Sequence, residues 1–211
     1  MNDTELSTNL NKLGFTEGCI VEIILVSRNM YNFFNAAPMG VIRTNSMLKI
    51  SPFNSSETYK NLHRTKHASI NITDDPMLFF KTAFKNQLEE PFSLNDWLIQ
   101  GSNAVIFVEK KKEEFFSGNR SSFILKPTKV IINKKEPMVF SRGRAEAIEA
   151  IIHATRVCSF QYEKREKEIK ELLKNIKYSF DIITRVSNKK SSERRVVECL
   201  KNLFENWGIE F

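Results

Sequence analysis

The sequence predicts an α+β protein in which an antiparallel β domain, residues 1–140, is followed by a small helical domain, residues 141–211. Up to about residue 132 the apolar residues mostly recur with a period of 2, and from Arg142 onwards they recur with the helical period of 3.6. Strands followed by a helical run favour two packed units over alternating βαβ. The 41% hydrophobic content, with seventeen Phe, is ample for a core.

The first strands come from three segments near the N-terminus. Residues 19–27, CIVEIILVS, are dense in β-branched side chains and predict a strand buried on both faces. Residues 39–45 and 47–53 predict two further strands, with Asn45-Ser46 as the turn between them. The sequence therefore predicts a β-hairpin after the first strand.

Two short helices are predicted next. Residues 57–65 follow a pair of serines that can cap a helix, and residues 76–84 begin at Pro76, a residue suited to the first helical position. Between them, residues 67–73 alternate apolar and polar side chains as a strand does. Residues 86–102 are polar with turn signals, so a linker is expected there.

Two long strands and three helices complete the prediction. Residues 103–116 and 121–132 are β-rich segments joined by a Ser-Gly-Asn turn. Residues 144–160, 166–186 and 191–207 carry apolar stripes at helical spacing, and a serine can cap the last of them. A three-helix C-terminal domain follows from these patterns.

Charge and cysteine usage exclude several classes of protein. The net charge is +7 and the pI about 9.3, but the basic residues are spread along the chain and interleave with acidic ones, so nucleic-acid binding is not favoured. Cys19, Cys158 and Cys199 lie too far apart for a zinc motif or a disulfide framework. No segment resembles a secretion signal or a membrane span. We therefore expect a cytoplasmic protein with reduced cysteines and no metal site.

A stretch of mostly small residues precedes the second predicted strand, which is expected to resume only at Val41. Such a stretch has two interpretations: a tight turn that feeds the strand, or a place where a flat ligand lies against the backbone. The residues of this stretch are Asn35, Ala36, Ala37, Pro38, Met39 and Gly40.

The start of the helix at residues 57–65 is a candidate anion site. Ser55, Ser56 and Thr58 supply hydroxyls beside the unpaired N–H groups of the first turn, and Asn61 follows one turn later. The alternative is a serine-capped helix without a ligand. The sequence contains neither a P-loop nor a dinucleotide-binding motif, so nucleotide binding of those types is not supported.

A polar row runs along the first C-terminal helix, which is otherwise rich in Ala, Ile and Val. The row consists of Glu146, Glu149, His153 and Arg156, spaced 3, 4 and 3 residues apart. It is either a structural row of ion pairs or a charged surface that faces a cleft. Arg144, just before the row, points a further cation towards the same end of the helix.

Five blocks of the chain, in order, resemble the signature segments of an uncharacterised and largely archaeal protein family. The resemblance runs from Val21 to Arg156 and continues more loosely through the last helices. The N-terminal domain of that family is similar to the FMN-binding split β-barrel of flavin reductases, and its C-terminal domain is a small helical unit. The blocks are VEIILVS, NAAPMGV, SPFNSSETYKNL, HASINITDDP and FSRGRAEAIEAIIHATR.

The resemblance implies FMN as cofactor and assigns residues to it. Asn35 to Val41 would line the flavin ring. Ser55, Ser56, Thr58 and Asn61 would hold the phosphate, with a nearby lysine, arginine or partner subunit to supply the positive charge. Asn71 and Thr73 would contact the ribityl chain or the ring edge. Barrels of this type commonly pair, so a homodimer with FMN near the interface is also expected.

The resulting hypothesis is an FMN-binding flavoprotein of flavin-reductase type that transfers a hydride or electrons to an unknown small substrate. The alternative is a protein that binds FMN, or another flat anionic ligand, as a carrier without turnover. If there is an anionic substrate, the expected contacts are Arg144 and Arg156, with Glu149 orienting His153 or Arg156. No side chain is required as a catalytic acid or base, because the flavin carries the chemistry.

Overall fold

A computed structural model describes residues 3–85, 93–115, 118–133 and 141–209. The first part of the predicted linker, residues 86–92, lies outside the described residues. So do residues 116–117, at the predicted turn between the two long strands, and residues 134–140, next to the predicted domain boundary.

The chain forms two compact units. The first contains Met1–Thr73 and Phe92–Glu136, and the second contains Asp74–Pro91 and Pro137–Phe211. The sequence predicts one domain boundary, at residue 140, whereas in the structure Asp74–Pro91 belongs to the same unit as the later helices. The short helix Pro76–Ala83 is therefore part of the helical unit.

Eight strands and six helices are observed in the described residues. The strands are β1 (Ile20–Arg28), β2 (Phe34–Thr44), β3 (Met47–Ile50), β4 (His67–Ile72), β5 (Leu94–Asn95), β6 (Leu98–Ile99), β7 (Ala104–Phe115) and β8 (Ser121–Ile132). The helices are α1 (Asp3–Lys12), α2 (Glu57–Arg64), α3 (Pro76–Ala83), α4 (Arg142–Tyr162), α5 (Glu166–Val186) and α6 (Ser192–Asn206).

Six strands close into an antiparallel barrel in the order β1-β2-β3-β8-β7-β4. Alternate side chains of each strand point inwards, and those of Ile23, Leu25, Ile70, Ile106 and Phe123 belong to one buried cluster. A closed barrel followed by three long helices confirms the predicted fold class. The two-residue turn at Asn45-Ser46 is also confirmed, and Asn45 adopts the positive φ of 55° that such hairpin turns favour.

Helix α1 has no counterpart in the sequence prediction. It is attached to the barrel by Arg43, a β2 residue that is only 8% exposed. The Arg43 guanidinium donates to the Asn11 side chain, the Phe15 carbonyl and the Ser7 hydroxyl at 2.5, 2.9 and 2.8 Å, and Nε donates to the Asn45 carbonyl at 2.9 Å. This side chain thus ties α1 and the loop after it to the barrel wall, and the buried Leu10 and Phe15 belong to the same apolar cluster as the barrel residues.

The first half of β2 differs from the prediction. The strand begins at Phe34 rather than Val41, and every residue from Phe34 to Ile42 pairs in register with β1. Pairing with a buried neighbouring strand outweighs the turn tendency of the small residues, because it satisfies the backbone groups of Asn35, Ala37 and Met39. The interpretation as a tight turn is therefore wrong.

The second unit is helical. Helices α4 and α6 begin at serine caps, Ser141 and Ser191, whose hydroxyls accept from the backbone N–H three residues on. Phe84, Phe204 and Trp207 form an aromatic contact group with ring centroids 5.7 to 5.9 Å apart. Among the described residues, no helix combines the length and the apolar character needed to cross a bilayer.

Candidate functional site

The first half of β2 is an open edge of the barrel. Residues from Phe34 to Ile42 pair with β1 on one side, but pairing with β3 on the other side begins only at Val41. Within the described chain, no strand pairs with the outer edge of residues 34–40. This segment is defined here as the open edge. Ala36 is only 1% exposed, so the part of the edge that a ligand with complementary donors and acceptors can reach is at Pro38 and Gly40, which are partly exposed.

The direction of those backbone groups follows from the hairpin. Thr44 and Met47 face each other across the two-residue turn, so the N–H and C=O of Thr44 point towards β3. Backbone directions alternate along an antiparallel strand, so those of Ala36, Pro38 and Gly40 point to the open edge as well. Pro38 has no N–H, and it lies where the barrel requires none.

Side chains of the predicted ring site lie on two opposite faces of β2. Ala37, Met39 and Val41 are on the face of the buried cluster, whereas Ala36, Pro38 and Gly40 are on the outer face. Asn35 shares the inner face. The seven residues therefore cannot line one surface with their side chains. Of the three outer ones Ala36 is buried, so only Pro38 and Gly40 can leave room for a flat ligand.

The residues predicted to hold the phosphate differ in their exposure. Thr58 and Asn61 are 2% and 4% exposed and form a polar cluster with strands β1 and β2. The Asn35 amide donates to the Thr58 hydroxyl at 3.2 Å, and the Asn61 amide donates to the Ser27 hydroxyl at 3.1 Å. These contacts fix α2 to the barrel. A further contact of Thr58 and Asn61 with a ligand stays a prediction.

The start of α2 retains part of the predicted anion site. The Ser56 hydroxyl caps the helix by accepting from the Tyr59 N–H at 3.2 Å and donates to the Phe53 carbonyl at 2.7 Å. Ser55 is exposed. The Arg120 guanidinium carbon lies 3.7 Å from the Phe53 ring centroid, so a cation is present beside this loop. No local sequence signal marks Arg120, because its pairing with Phe53 brings it there from far along the chain.

Asn71 is completely buried and holds the β5–β6 hairpin against β4. Its amide donates to the Trp97 carbonyl at 3.1 Å, and its oxygen accepts from the Ile99 N–H at 2.9 Å and the Ser102 hydroxyl at 3.3 Å. The Ser69 hydroxyl donates to the same Trp97 carbonyl. Asn71 therefore has a structural role, and contacts of Asn71 and the buried Thr73 with a cofactor stay predictions.

Trp97, which the sequence placed in a linker, lies beside the start of the open edge. Its ring packs edge-on against Phe34, with centroids 5.0 Å apart. The Arg28 guanidinium carbon lies 5.2 Å from the Trp97 ring and 5.9 Å from the Phe34 ring. An arginine and two aromatic rings thus flank the outer face of β2, and no sequence motif marks this group.

The predicted substrate residues of α4 take part in ion pairs and hydrogen bonds inside the helical unit. Arg144 lies 2.6 Å from Asp74 and 3.6 Å from Glu193. His153 Nε2 lies 3.3 Å from Glu149, one turn away. Substrate contacts by Arg144, Glu149, His153 and the exposed Arg156 stay predictions.

His153 is largely buried. Burial lowers the pKa of its imidazole, while the Glu149 carboxylate acts in the opposite direction. Its Nδ1 has no hydrogen-bond partner in the described part of the chain. Glu146, also in the polar row, accepts a hydrogen bond from Ser179 at 2.8 Å. The row is thus at least partly a set of contacts within the helical unit.

Comparison with known proteins gives relatives that span nearly the whole chain. An uncharacterised protein of Methanocaldococcus jannaschii is 24% identical over 192 residues, which are 87% of this chain and 98% of the relative. A crystal structure of an FMN-bound protein of Methanosarcina mazei has 24% sequence identity and a TM-score of 0.74, over 92% of this chain and 98% of the other. The latter shares the fold described above.

A more distant similarity is to the styrene monooxygenase flavin reductase of Pseudomonas putida, at 10% identity and a TM-score of 0.46, over 57% of this chain and 93% of the other. The matching family models are described as the N-terminal domain of a protein of unknown function, DUF447, at residues 21–134, and as DUF447 at residues 141–202. These matches confirm the family resemblance inferred from the five sequence blocks. The chain belongs to the DUF447 family.

Proposed function

We propose that the protein binds FMN at the open edge of β2 and transfers a hydride or electrons between this flavin and a small substrate. The observation that carries the proposal is the open edge at Pro38 and Gly40, where no described strand pairs with the outer side of β2 and the outer side chains are short or absent. A relative with the same fold, the Methanosarcina mazei protein, is FMN-bound. FMN supplies the redox chemistry, and the protein supplies binding and orientation.

The open edge fits the flavin ring. The pyrimidine part of the ring carries carbonyl oxygens and an N–H group, which complement the C=O of Pro38 and the N–H and C=O of Gly40. The glycine on the outer face allows a flat ring to approach the backbone closely. In this proposal Gly40 contributes both space and hydrogen bonds.

The start of α2 is the proposed phosphate site. Backbone N–H groups in the first turn of a helix lack intrahelical partners and favour an anion. Ser55 offers an exposed hydroxyl there, and Arg120 brings a positive charge to the adjacent Phe53. The carboxylate of Glu57, also in the first turn, is paired with Lys60 at 2.6 Å, which reduces its repulsion of a phosphate.

Gly40→Val tests the ring site. A Cβ at this position would lie 3.2 Å from Ile20 Cγ2 and 3.4 Å from the Glu22 carboxylate, both on exposed side chains that can shift. We therefore expect a folded variant whose affinity for both FMN and riboflavin falls by at least about tenfold, since the two share the ring. Titration of apo-protein, followed by flavin fluorescence, measures this.

The matched control is Thr44→Val, which places the same side chain on the same face at the exposed end of β2. Its flavin affinity should equal that of the parent protein. A folded Gly40→Val variant with unchanged affinity would refute the ring site. Flavin binding by the parent that is equally tight for FMN and riboflavin would refute the phosphate site.

Anaerobic mixing with NADH distinguishes a flavin reductase from a protein that carries FMN without turnover. A flavin reductase should lose its flavin absorbance near 450 nm as about one equivalent of NADH is oxidised. Retained absorbance with NADH and with NADPH would support the carrier function instead. Dithionite serves as the control that the bound flavin can be reduced.

We also propose that two copies of the chain associate through the loop between β1 and β2. The loop exposes Met30, Tyr31 and Phe33, which are 61%, 74% and 71% exposed. The Asn29 side chain accepts from the backbone N–H groups of Tyr31 and Phe33 at 2.9 and 3.0 Å, which holds the loop in one conformation. An ordered apolar surface loses little entropy on association, and a two-fold dimer uses the same patch twice.

Sedimentation equilibrium tests the dimer. In the double variant Tyr31→Ser and Phe33→Ser, the dissociation constant of the dimer should rise by at least about a hundredfold, because each large side chain contributes roughly 1.5–3 kcal/mol when buried. Tyr162→Ser is the control, since Tyr162 is 87% exposed in the helical unit. A monomeric parent protein, or an unchanged dimer in the double variant, would contradict the proposal.

A further inference from the structure

Arg28, at the end of β1, lies on the outer face of the barrel, in register with Phe34. Its guanidinium carbon lies 5.2 Å from the Trp97 ring and 5.9 Å from the Phe34 ring. The Trp97 carbonyl is in turn fixed by Ser69 and Asn71. The rings that contact the guanidinium are therefore held by the barrel itself, and they orient the arginine without bonding its N–H groups.

Arg28 differs in this respect from Arg43 and Arg120 of the same unit, and it differs from the exposed Arg64 because aromatic rings hold it. Arg43 gives its N–H groups to four oxygen atoms, and Arg120 donates to the Ser51 carbonyl. For Arg28, the described residues provide the two rings and no carboxylate within ion-pair distance. An oriented guanidinium with available donors is suited to bidentate binding of a carboxylate or a phosphate group.

Its position relates the arginine to the proposed flavin site. The first accessible outward-facing residue of the open edge, Pro38, is four residues along β2 from Phe34, a distance of about 13 Å. Arg28, Phe34 and Trp97 are themselves partly exposed. A planar molecule on these rings would contact them with its body and the guanidinium with an anionic end.

We propose that Arg28, Trp97 and Phe34 form the subsite for an anionic group on a planar substrate. The inference rests on the proposed function, because that function places the flavin ring at the adjacent open edge. The chemistry that Arg28 recognises is shared by a substrate carboxylate and by the FMN phosphate. The subsite belongs to the substrate, since the start of α2 provides for the phosphate.

Trp97 is a built-in reporter of this subsite. The chain has two tryptophans, so Trp207→Phe leaves Trp97 as the only one. In that background, 4-hydroxybenzoate should change the fluorescence of Trp97 in a saturable way, both with and without FMN. In Arg28→Gln its affinity should fall by at least about tenfold, whereas the neutral analogue 4-hydroxybenzyl alcohol should respond equally in both proteins.

Two further variants complete the experiment. Arg28→Lys keeps the charge without the planar fork and should lose part of the affinity. Arg64→Gln removes an exposed cation of the same unit and should behave as the parent protein. Unchanged benzoate affinity in Arg28→Gln, an equal loss in Arg64→Gln, or no saturable response in the parent would overturn the subsite.

Flavin titration separates this inference from the proposed function. Arg28→Gln should bind FMN and riboflavin as the parent does. Weaker binding of FMN alone would assign Arg28 to the cofactor phosphate and would overturn the substrate assignment. Arg28-dependent benzoate binding in a protein that binds no FMN would refute the proposed function and support the anion subsite.

Discussion

Replacement of Arg43 by methionine is expected to destabilise the protein by about 3–5 kcal/mol, because each hydrogen bond from a charged group contributes roughly 1.5–3 kcal/mol and the partly exposed partners recover some of the loss by bonding water. The Arg43 side chain donates hydrogen bonds to Asn11, Phe15, Ser7 and Asn45. Methionine fills much of the volume but donates nothing. The oxygen atoms of those partners are left without the donor, and each unsatisfied one adds to the loss.

The Glu17 carboxylate does not explain the effect. It lies 3.9 Å from Arg43 Nε and is 55% exposed, so the ion pair itself is weak. Most of the stabilisation comes from hydrogen bonds to neutral oxygens in a buried position. Arg43→Lys keeps the charge but has no planar fork to reach several oxygens, so we expect it to lose a large part of the stability.

Urea unfolding measures the change in stability, with Arg64→Met as the exposed control, which should stay within about 0.5 kcal/mol of the parent. Native-state hydrogen exchange gives the location. Leu6 and Leu10 of α1 are buried. When Arg43→Met is compared with the parent protein, the exchange rates of their amides should increase more than those of the β7 amides. A small change in stability, or unchanged protection of α1, would show that Arg43 does not hold the helix.

The long periodic segments of the fold could be predicted from the sequence. The limits of α5, Glu166–Val186, agree with the prediction, because its apolar residues form one continuous stripe. Strands β7 and β8 are likewise found within one residue of their predicted limits where the structure describes them. In these elements, local pattern and tertiary packing favour the same conformation.

The elements that were missed depend on distant residues. Helix α1 has only two apolar side chains, Leu6 and Leu10, and its position depends on their burial against distant residues and on Arg43. The β5–β6 hairpin has strands of two residues each and depends on Asn71. A short segment that gains its order from a remote side chain carries no signal within its own sequence.

The residues of the candidate site were likewise only partly predictable from the sequence. The small residues of β2 and the hydroxyls at the start of α2 could be located from the sequence. In the structure the small residues form the open edge, and of the three hydroxyl residues Thr58 is buried and Ser55 is exposed. The sequence alone does not show which of the small residues face inwards, because that depends on the pairing of β1 with β2. Thr58, Asn61 and Asn71 are buried polar residues with partners inside the fold. Arg28 and Trp97 are brought together only by the tertiary structure.

Asn71→Leu is expected to cost about 2–4 kcal/mol, since leucine has a similar volume but neither donates nor accepts. The substitution leaves the N–H of the buried Ile99 without its acceptor and removes a donor from the Trp97 carbonyl. Because the hairpin has few other strand contacts, we expect it to detach from β4 before the barrel unfolds.

Trp97 fluorescence reports the detachment in the Trp207→Phe background. In Asn71→Leu the emission should shift to the red and become easier to quench with acrylamide, while Asn95→Leu, at an exposed position of the same hairpin, should change neither property. Benzoate binding should weaken as well, because the detached Trp97 no longer orients Arg28. Asn71 affects the subsite through its hydrogen bond to the Trp97 carbonyl. If Asn71 instead contacts the flavin, affinity for FMN will fall while the Trp97 emission stays unchanged. That result would assign Asn71 to the cofactor and contradict its role as the attachment of the hairpin.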